Sequence, residues 1–375
     1  MTVVTVIIGI IGLSFLVFFH ELGHFVIARA MGVTVEAFSI GMGPVLLHHK
    51  KGATDYRISL IPVGGYCSMK GEKEYRNALD ENLPQIYGEP DSFYGVHPLK
   101  RLFIAFAGPL FNLLFAFIAF FIIALCGYTY YSDGTTVQMV NDVPEYAGLP
   151  SPAYDSGMRS GDRIISIDGK IMEDFSDILS YVSLEGPETI VVKVERNGEI
   201  LDIPVKTILD KSTGARRIGI VSMPESVMER HYGPYSFFSA VGEGFKKTFS
   251  TLAMTVKGIA RLFQGVDIQN AVSGPARVTT ILGSAVKDGF SAGFRAGITS
   301  MLELLALISI SLFLTNLLPI PILDGGLILF ALIEWIARRK MHPKLLYYIQ
   351  LAGLVVVVGL VVLAIVGDIR YFIGK

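Results

Sequence analysis

Cysteine is scarce in this sequence: Cys67 and Cys126 stand alone and far apart. That excludes a disulfide framework and a metal site built from paired thiolates. Charge is scarce too. Only 17% of residues are charged while 51% are hydrophobic, a balance too apolar for an ordinary soluble protein. The 32 basic and 33 acidic residues leave a net charge of −1, so no global basic field draws in phosphates, and nucleic acid is excluded as a partner. The first residues lack the basic region and the small-residue cleavage site of a signal peptide, so they read as retained helix.

What the chain does have is long apolar runs. Crossing a bilayer takes about 20 such residues, and residues 3–31, 102–131, 301–318 and 345–366 qualify. The fold class this predicts is a polytopic α-helical membrane protein with about four transmembrane helices and the lipid bilayer as its surroundings. Arg29, Lys100 and Arg101 flank the first connection, and Arg338, Arg339, Lys340 and Lys344 crowd the last, so both connections are expected on the cytoplasmic side. Residues 133–223 are different in character, alternating and turn-rich. "RIISIDGKIM" and "ETIVVKVERNGEILDIPV" read as strands, the latter closed by the hairpin pair Asn197-Gly198, and "FSDILSYVS" has helical spacing. Four regions follow: 1–132 as an N-terminal membrane region, 133–223 as an inserted α/β domain, 224–299 as a linker, and 300–375 as a C-terminal membrane region. Within the linker, Phe238, Val241, Phe245, Phe249, Leu252, Val256, Ile259 and Phe263 recur at helical spacing, an amphipathic helix suited to the membrane interface or to packing on its own protein.

The first apolar run contains a polar insertion, "FLVFFHELGHFVIARAM". Ionisable side chains cost about 2.5 kcal/mol or more near a bilayer centre, so their presence marks function. On a helix His20 and His24 lie one turn apart on one face and can reach one ion, while Glu21 beside them can take a proton from water. This is the H-E-x-x-H pattern of zinc hydrolases, with Zn2+ as the expected cofactor. A third protein ligand is expected. His48 and His49 are near in sequence but sit in the lysine-bearing loop "LLHHKKG", where solvation accounts for them. Asp324, at the membrane edge of "TNLLPIPILDGG", is a remote alternative; read alone it is an ordinary turn residue before Gly325.

With these motifs together the chain resembles the site-2 protease family of intramembrane zinc metalloproteases, in particular the bacterial branch that acts on anti-sigma factors. The carrying motifs are H-E-x-x-H and Asn316, Pro319, Pro321, Leu323, Asp324 and Gly325. "GMGP" at 41–44, "IPVGGYCSMKGE" at 61–72, "AGPLFNLLFAF" around Asn112 and "SGPARV" from Ser273 support them. The resemblance implies a His20, His24 and Asp324 zinc site with Glu21 as base. It implies that Asn316 holds substrate backbone or the oxyanion, that Pro319 and Pro321 keep an extended edge for substrate, and that Asn112 assists. It assigns the 61–72 segment, with Gly64 and Gly65, to a membrane-associated β-hairpin or loop that aligns an unwound substrate by strand addition. It also makes residues 133–223 a single PDZ domain, with "SPAYDSGMRSGDRIISIDGKIM" as its signature and Ile218, Gly219 and Ile220 as its peptide-binding loop. Leu327 departs from relatives that carry histidine there.

The function implied is endoproteolysis of transmembrane segments of single-span proteins, or of signal-peptide remnants, in regulated intramembrane proteolysis with an upstream protease cutting first. The location implied is a bacterial inner membrane, with the PDZ domain outside and the active site toward the cytoplasm. Two other readings stand beside it. One is a metallopeptidase using Glu303 or Glu334 as third ligand. The other is a non-enzymatic adaptor with a structural metal, against which the intact Glu21 argues, because a structural site needs no base.

Overall fold

The computed structural model describes residues 3–146, 148–210, 215–223, 227–262 and 274–373. Phe263 of the amphipathic pattern and Ser273 of "SGPARV" lie outside them. The chain divides into two compact units, residues 1–123, 237–251 and 273–375 in one and 124–236 with 252–272 in the other.

The first unit is built on long apolar helices. They are α1 (Val3–Ala30), α3 (Pro98–Cys126), α8 (Phe294–Asn316) and α10 (Pro343–Ile373), joined by the shorter α2 (Glu72–Asp80), α7 (Pro275–Ala292) and α9 (Asp324–Ala337). Among the described residues four are long and apolar enough to cross a membrane, over Val6–Ala30, Pro98–Cys126, Phe294–Asn316 and Pro343–Arg370. The third starts earlier than its apolar run at 301 because "FRAGITS" continues the helix backwards. Close approach is made possible where side chains vanish. A Cβ at Gly23 of α1 would collide with the Ala107 carbonyl of α3. Between α3 and α9 a buried ion pair joins Arg101 to Glu334, whose other oxygen accepts the Met341 N–H at 2.8 Å.

After α1 the chain forms two long strands, β1 (Val35–Lys51) and β2 (Thr54–Met69), which fold into a sheet of four segments. Residues 35–40 pair with 65–69 on one side (Val35↔Met69, Ile40↔Gly65) and lie beside 55–58 on the other (Ala37↔Asp55, Ile40↔Ile58), while 45–51 pair with 54–59. In this register residues 65–69 form an edge. The Ser14 hydroxyl of α1 donates to the Pro62 carbonyl, tying the sheet to the helix. Sheet formation thus starts at Val35, well before the 61–72 segment singled out by sequence. Its outer part exposes Met42, Val45, Leu46, Leu47, Leu60 and Ile61, a surface suited to lipid.

The second unit is a small α/β body. A ribbon of β3 (Tyr128–Asp133) and β12 (Val227–Tyr232) leads into it, and its sheet has the order β6 (Lys170–Ile171), β5 (Arg163–Ile167), β7 (Thr189–Arg196), β8 (Glu199–Lys206). Asn197 and Gly198 both take positive φ, 52° and 87°, as the tight turn between β7 and β8 requires. Helix α5 (Phe175–Ser180) covers a core of Val137, Met158, Ile164, Ile190, Val192 and Ile218.

Candidate metal centre

The arrangement starts from α1, which places His20 and His24 one turn apart with ring centroids 4.9 Å apart. Asp324 arrives from a distant part of the chain because α8 ends at Asn316, a short irregular stretch follows, and α9 begins at Asp324 itself. Its Oδ2 lies 3.1 Å from His20 Nε2 and its Oδ1 3.3 Å from His24 Nε2, and the two Nε2 atoms are 3.2 Å apart. Among the described residues, these three side chains form a group whose ligand atoms all lie within 4.8 Å of one another.

The donor set fits zinc. Two imidazoles and a carboxylate are three protein ligands of the kind that zinc hydrolases use, leaving a further position open. The second nitrogen of His24 supports the assignment. Its Nδ1 lies 2.8 Å from the carbonyl of Ile104, which can only accept, so the proton sits on Nδ1 and Nε2 keeps its lone pair for a cation.

A cavity of about 340 Å³ opens on this group, lined by Glu21, Tyr66, Cys67, Met69, Phe93 and Asn316 beside the three ligand candidates. Glu21 and Asn316 therefore face the same space, and residues 65–69 border it. A Cβ on Gly65 would lie 3.5 Å from Glu21 Cγ, which places the strand edge beside that side chain. Burial pushes the Cys67 thiol up to about 12, with the Glu21 charge adding to it.

Other residues singled out by sequence lie elsewhere. Asn112 is fully buried and does not line the cavity; its amide nitrogen is 3.1 Å from His20 Nδ1, on the far side of the ring from the ligand position. Pro319 and Pro321 line a separate hollow against α10, where Pro321 packs over Gly353. Gly64, with φ +97°, lies against Met42 and not in the cavity. His48 is exposed and pairs with Asp55 at 3.2 Å. Glu334 is held by Arg101. Leu327 contributes both to the cavity wall and to an apolar cluster with Ala78, Phe330 and Leu346. Ile218, Gly219 and Ile220 line a cleft of about 710 Å³ in the second unit, opposite Phe175, Ile178 and Leu179.

Sequence reading named Asn112 of α3 but missed Ile104 and the part that Gly108 plays behind the histidines. Ile104, Gly108 and Asn112 recur every four residues on one side of that helix, and a Cβ on Gly108 would run into both imidazoles. The signal was present in "IAFAGPLFN", where one glycine and one asparagine interrupt an apolar face.

Membrane-spanning helices around a His-His-Asp group with an adjacent glutamate define a membrane-embedded metallohydrolase. The comparisons narrow this. The model of peptidase family M50 matches residues 8–360. Over 98% of this chain and 99% of its own, a relative from Treponema pallidum is 34% identical, and one from Campylobacter jejuni is 34% identical over 97% and 92%. A third, from Bartonella henselae, is 30% identical over 94% and 98%; all three carry the name "Putative zinc metalloprotease". The chain belongs to peptidase family M50, the site-2 protease family. It is a membrane protein and a zinc metalloprotease, and zinc is its cofactor.

Proposed function

We propose that this protein is an intramembrane endopeptidase that cuts transmembrane segments of single-span proteins, of anti-sigma-factor type, or signal-peptide remnants. The observation that carries the reading is the shared cavity, where His20, His24 and Asp324 converge, Glu21 and Asn316 look in, and an edge strand runs past. His20, His24 and Asp324 hold the zinc, which when bound supplies Lewis acidity toward a water and a carbonyl. Glu21 takes the proton of the attacking water and returns it to the leaving amine. Asn316 offers an amide donor to the oxyanion or to substrate backbone. A transmembrane helix satisfies its own backbone hydrogen bonds and must unwind before its carbonyls are reachable. Residues 65–69, including Gly65, accept the unwound segment as an added strand and replace the bonds it loses.

The second unit is read as a PDZ domain, with the cleft between α5 and Ile218, Gly219 and Ile220 as its peptide groove. The protein resides in a bacterial inner membrane with this unit outside and the metal centre toward the cytoplasm, and it acts after an upstream protease has trimmed the substrate. Comparing membrane fractions that carry active protein with fractions that carry Glu21→Gln tests the reading. A membrane stub that accumulates only with the variant is the expected result, and no stabilised species at all contradicts it.

A further inference from the structure

Helix α3 supplies a partner to the second nitrogen of each histidine, and we infer that Asn112 is a positioning residue that fixes the tautomer of His20 by accepting its Nδ1–H. The inference rests on the reading of His20 as a zinc ligand through Nε2. That atom is the one 3.1 Å from Asp324 Oδ2 and 3.2 Å from His24 Nε2, so it faces the common ligand position. A ligating nitrogen must offer its lone pair, which puts the ring proton on Nδ1. For His24 the Ile104 carbonyl receives that proton. For His20 the group at Nδ1 is the Asn112 side chain, at 3.1 Å.

With Nδ2 toward the ring, two N–H donors would face each other. The Oδ1 of the same amide is meanwhile buried with no hydrogen-bond partner. A half-turn of the amide, which exchanges two atoms of nearly equal size, brings Oδ1 to Nδ1–H and makes the contact a good hydrogen bond. In either orientation one amide atom lacks a protein partner. Only the turned one is compatible with ligation by Nε2. The main chain at the same residue is pinned from α8, because the Ser309 hydroxyl donates to the Asn112 carbonyl at 2.8 Å. Full burial behind the imidazole keeps Asn112 from substrate, so its contribution passes through His20. Groups that orient metal-bound histidines change metal affinity by about 10–100-fold when lost.

The test is zinc affinity of the purified full-length protein in detergent, measured by competition with a chromogenic chelator, with the visible spectrum of the Co2+-loaded protein as a second readout. Asn112→Leu, which fills the space and accepts nothing, is expected to weaken zinc by about 10–100-fold. Asn112→Asp, which can only accept at Nδ1, is expected to hold zinc at least as tightly as the parent and to keep its Co2+ spectrum. Wild-type affinity in Asn112→Leu overturns the inference. So does a loss of affinity in Asn112→Asp, and this arm stands even where the leucine variant does not fold. His20→Ala separates the two levels: if it keeps full zinc, the ligand reading itself fails, whereas if it loses zinc while Asn112→Leu does not, only the role of Asn112 fails.

Discussion

At the residue scale, the metal centre depends as much on what is missing as on what is present. Gly108 is the sharpest case, since any side chain there would press on both His20 and His24. Gly108→Leu is expected to displace the imidazoles and reduce zinc occupancy severely, measured as metal per protein, while Leu110→Ala, on an exposed side of the same helix, leaves it unchanged. Glu21 plays a different part. It lies beside the ligand group but outside it, so Glu21→Gln is expected to keep zinc and lose about 10²–10⁴-fold in turnover of a transmembrane peptide, the usual contribution of a positioned acid–base group. Loss of zinc in that variant would make Glu21 a ligand and not a base.

At the scale of elements, the molecule joins helices by polar contacts that span long stretches of chain. Asp368 of α10 accepts the main-chain N–H groups of Gly274 and Ala276 at 2.9 Å each, capping α7 from another helix. Asp368→Ala leaves those donors unsatisfied and is expected to cost about 1–2 kcal/mol, read as a lower melting temperature in detergent. The buried Arg101–Glu334 pair is larger in consequence. Arg101→Ala strands a buried carboxylate and is expected to destabilise by about 3–5 kcal/mol, while Arg101→Met with Glu334→Leu recovers most of the loss. A single variant as unstable as predicted with no recovery in the double would show that packing, not the unpaired charge, is responsible. Neither contact was legible in the sequence. Arg101 looks like an ordinary charge flanking a span, and its partner is 233 residues away. The spans and the His20, Glu21, His24 pattern were legible because each is a contiguous departure from its surroundings, whereas Asp324, an ordinary turn residue when read alone, was reached only through the family resemblance. The sheet over residues 35–60 was hidden for a physical reason. Its outer face carries Met42, Val45 and Leu47, so the apolar–polar alternation that marks a half-buried strand in water is absent. The backing role of Asn112 was hidden because it depends on a contact 92 residues away.

At the scale of the whole molecule, the metal group and the largest described groove of the second unit lie in different parts of the chain. All the proposed catalytic groups belong to one compact unit, and the Ile218–Ile220 cleft belongs to the other. If the second unit excludes bulky substrates, replacing residues 133–223 by a flexible linker should raise cleavage of an untrimmed substrate. If its cleft recruits a new C-terminus by strand addition, the same replacement should lower cleavage of the trimmed one. No change in either, in a variant that still binds zinc, contradicts both accounts. Topology needs a probe other than Cys67, which is only half-exposed and lines the cavity at the metal centre. Lys51→Cys at the exposed end of β1, in a Cys126→Ser background, should resist an impermeant thiol reagent in intact cells and react in inverted vesicles. Beneath all of this is the claim that His20, His24 and Asp324 hold zinc while Glu21 moves a proton. The most direct measurement is the zinc content of purified Asp324→Ala and Glu21→Gln by mass spectrometry. The account predicts far less than stoichiometric zinc in the first and full zinc with turnover reduced about 10²–10⁴-fold in the second; full occupancy in Asp324→Ala would contradict it.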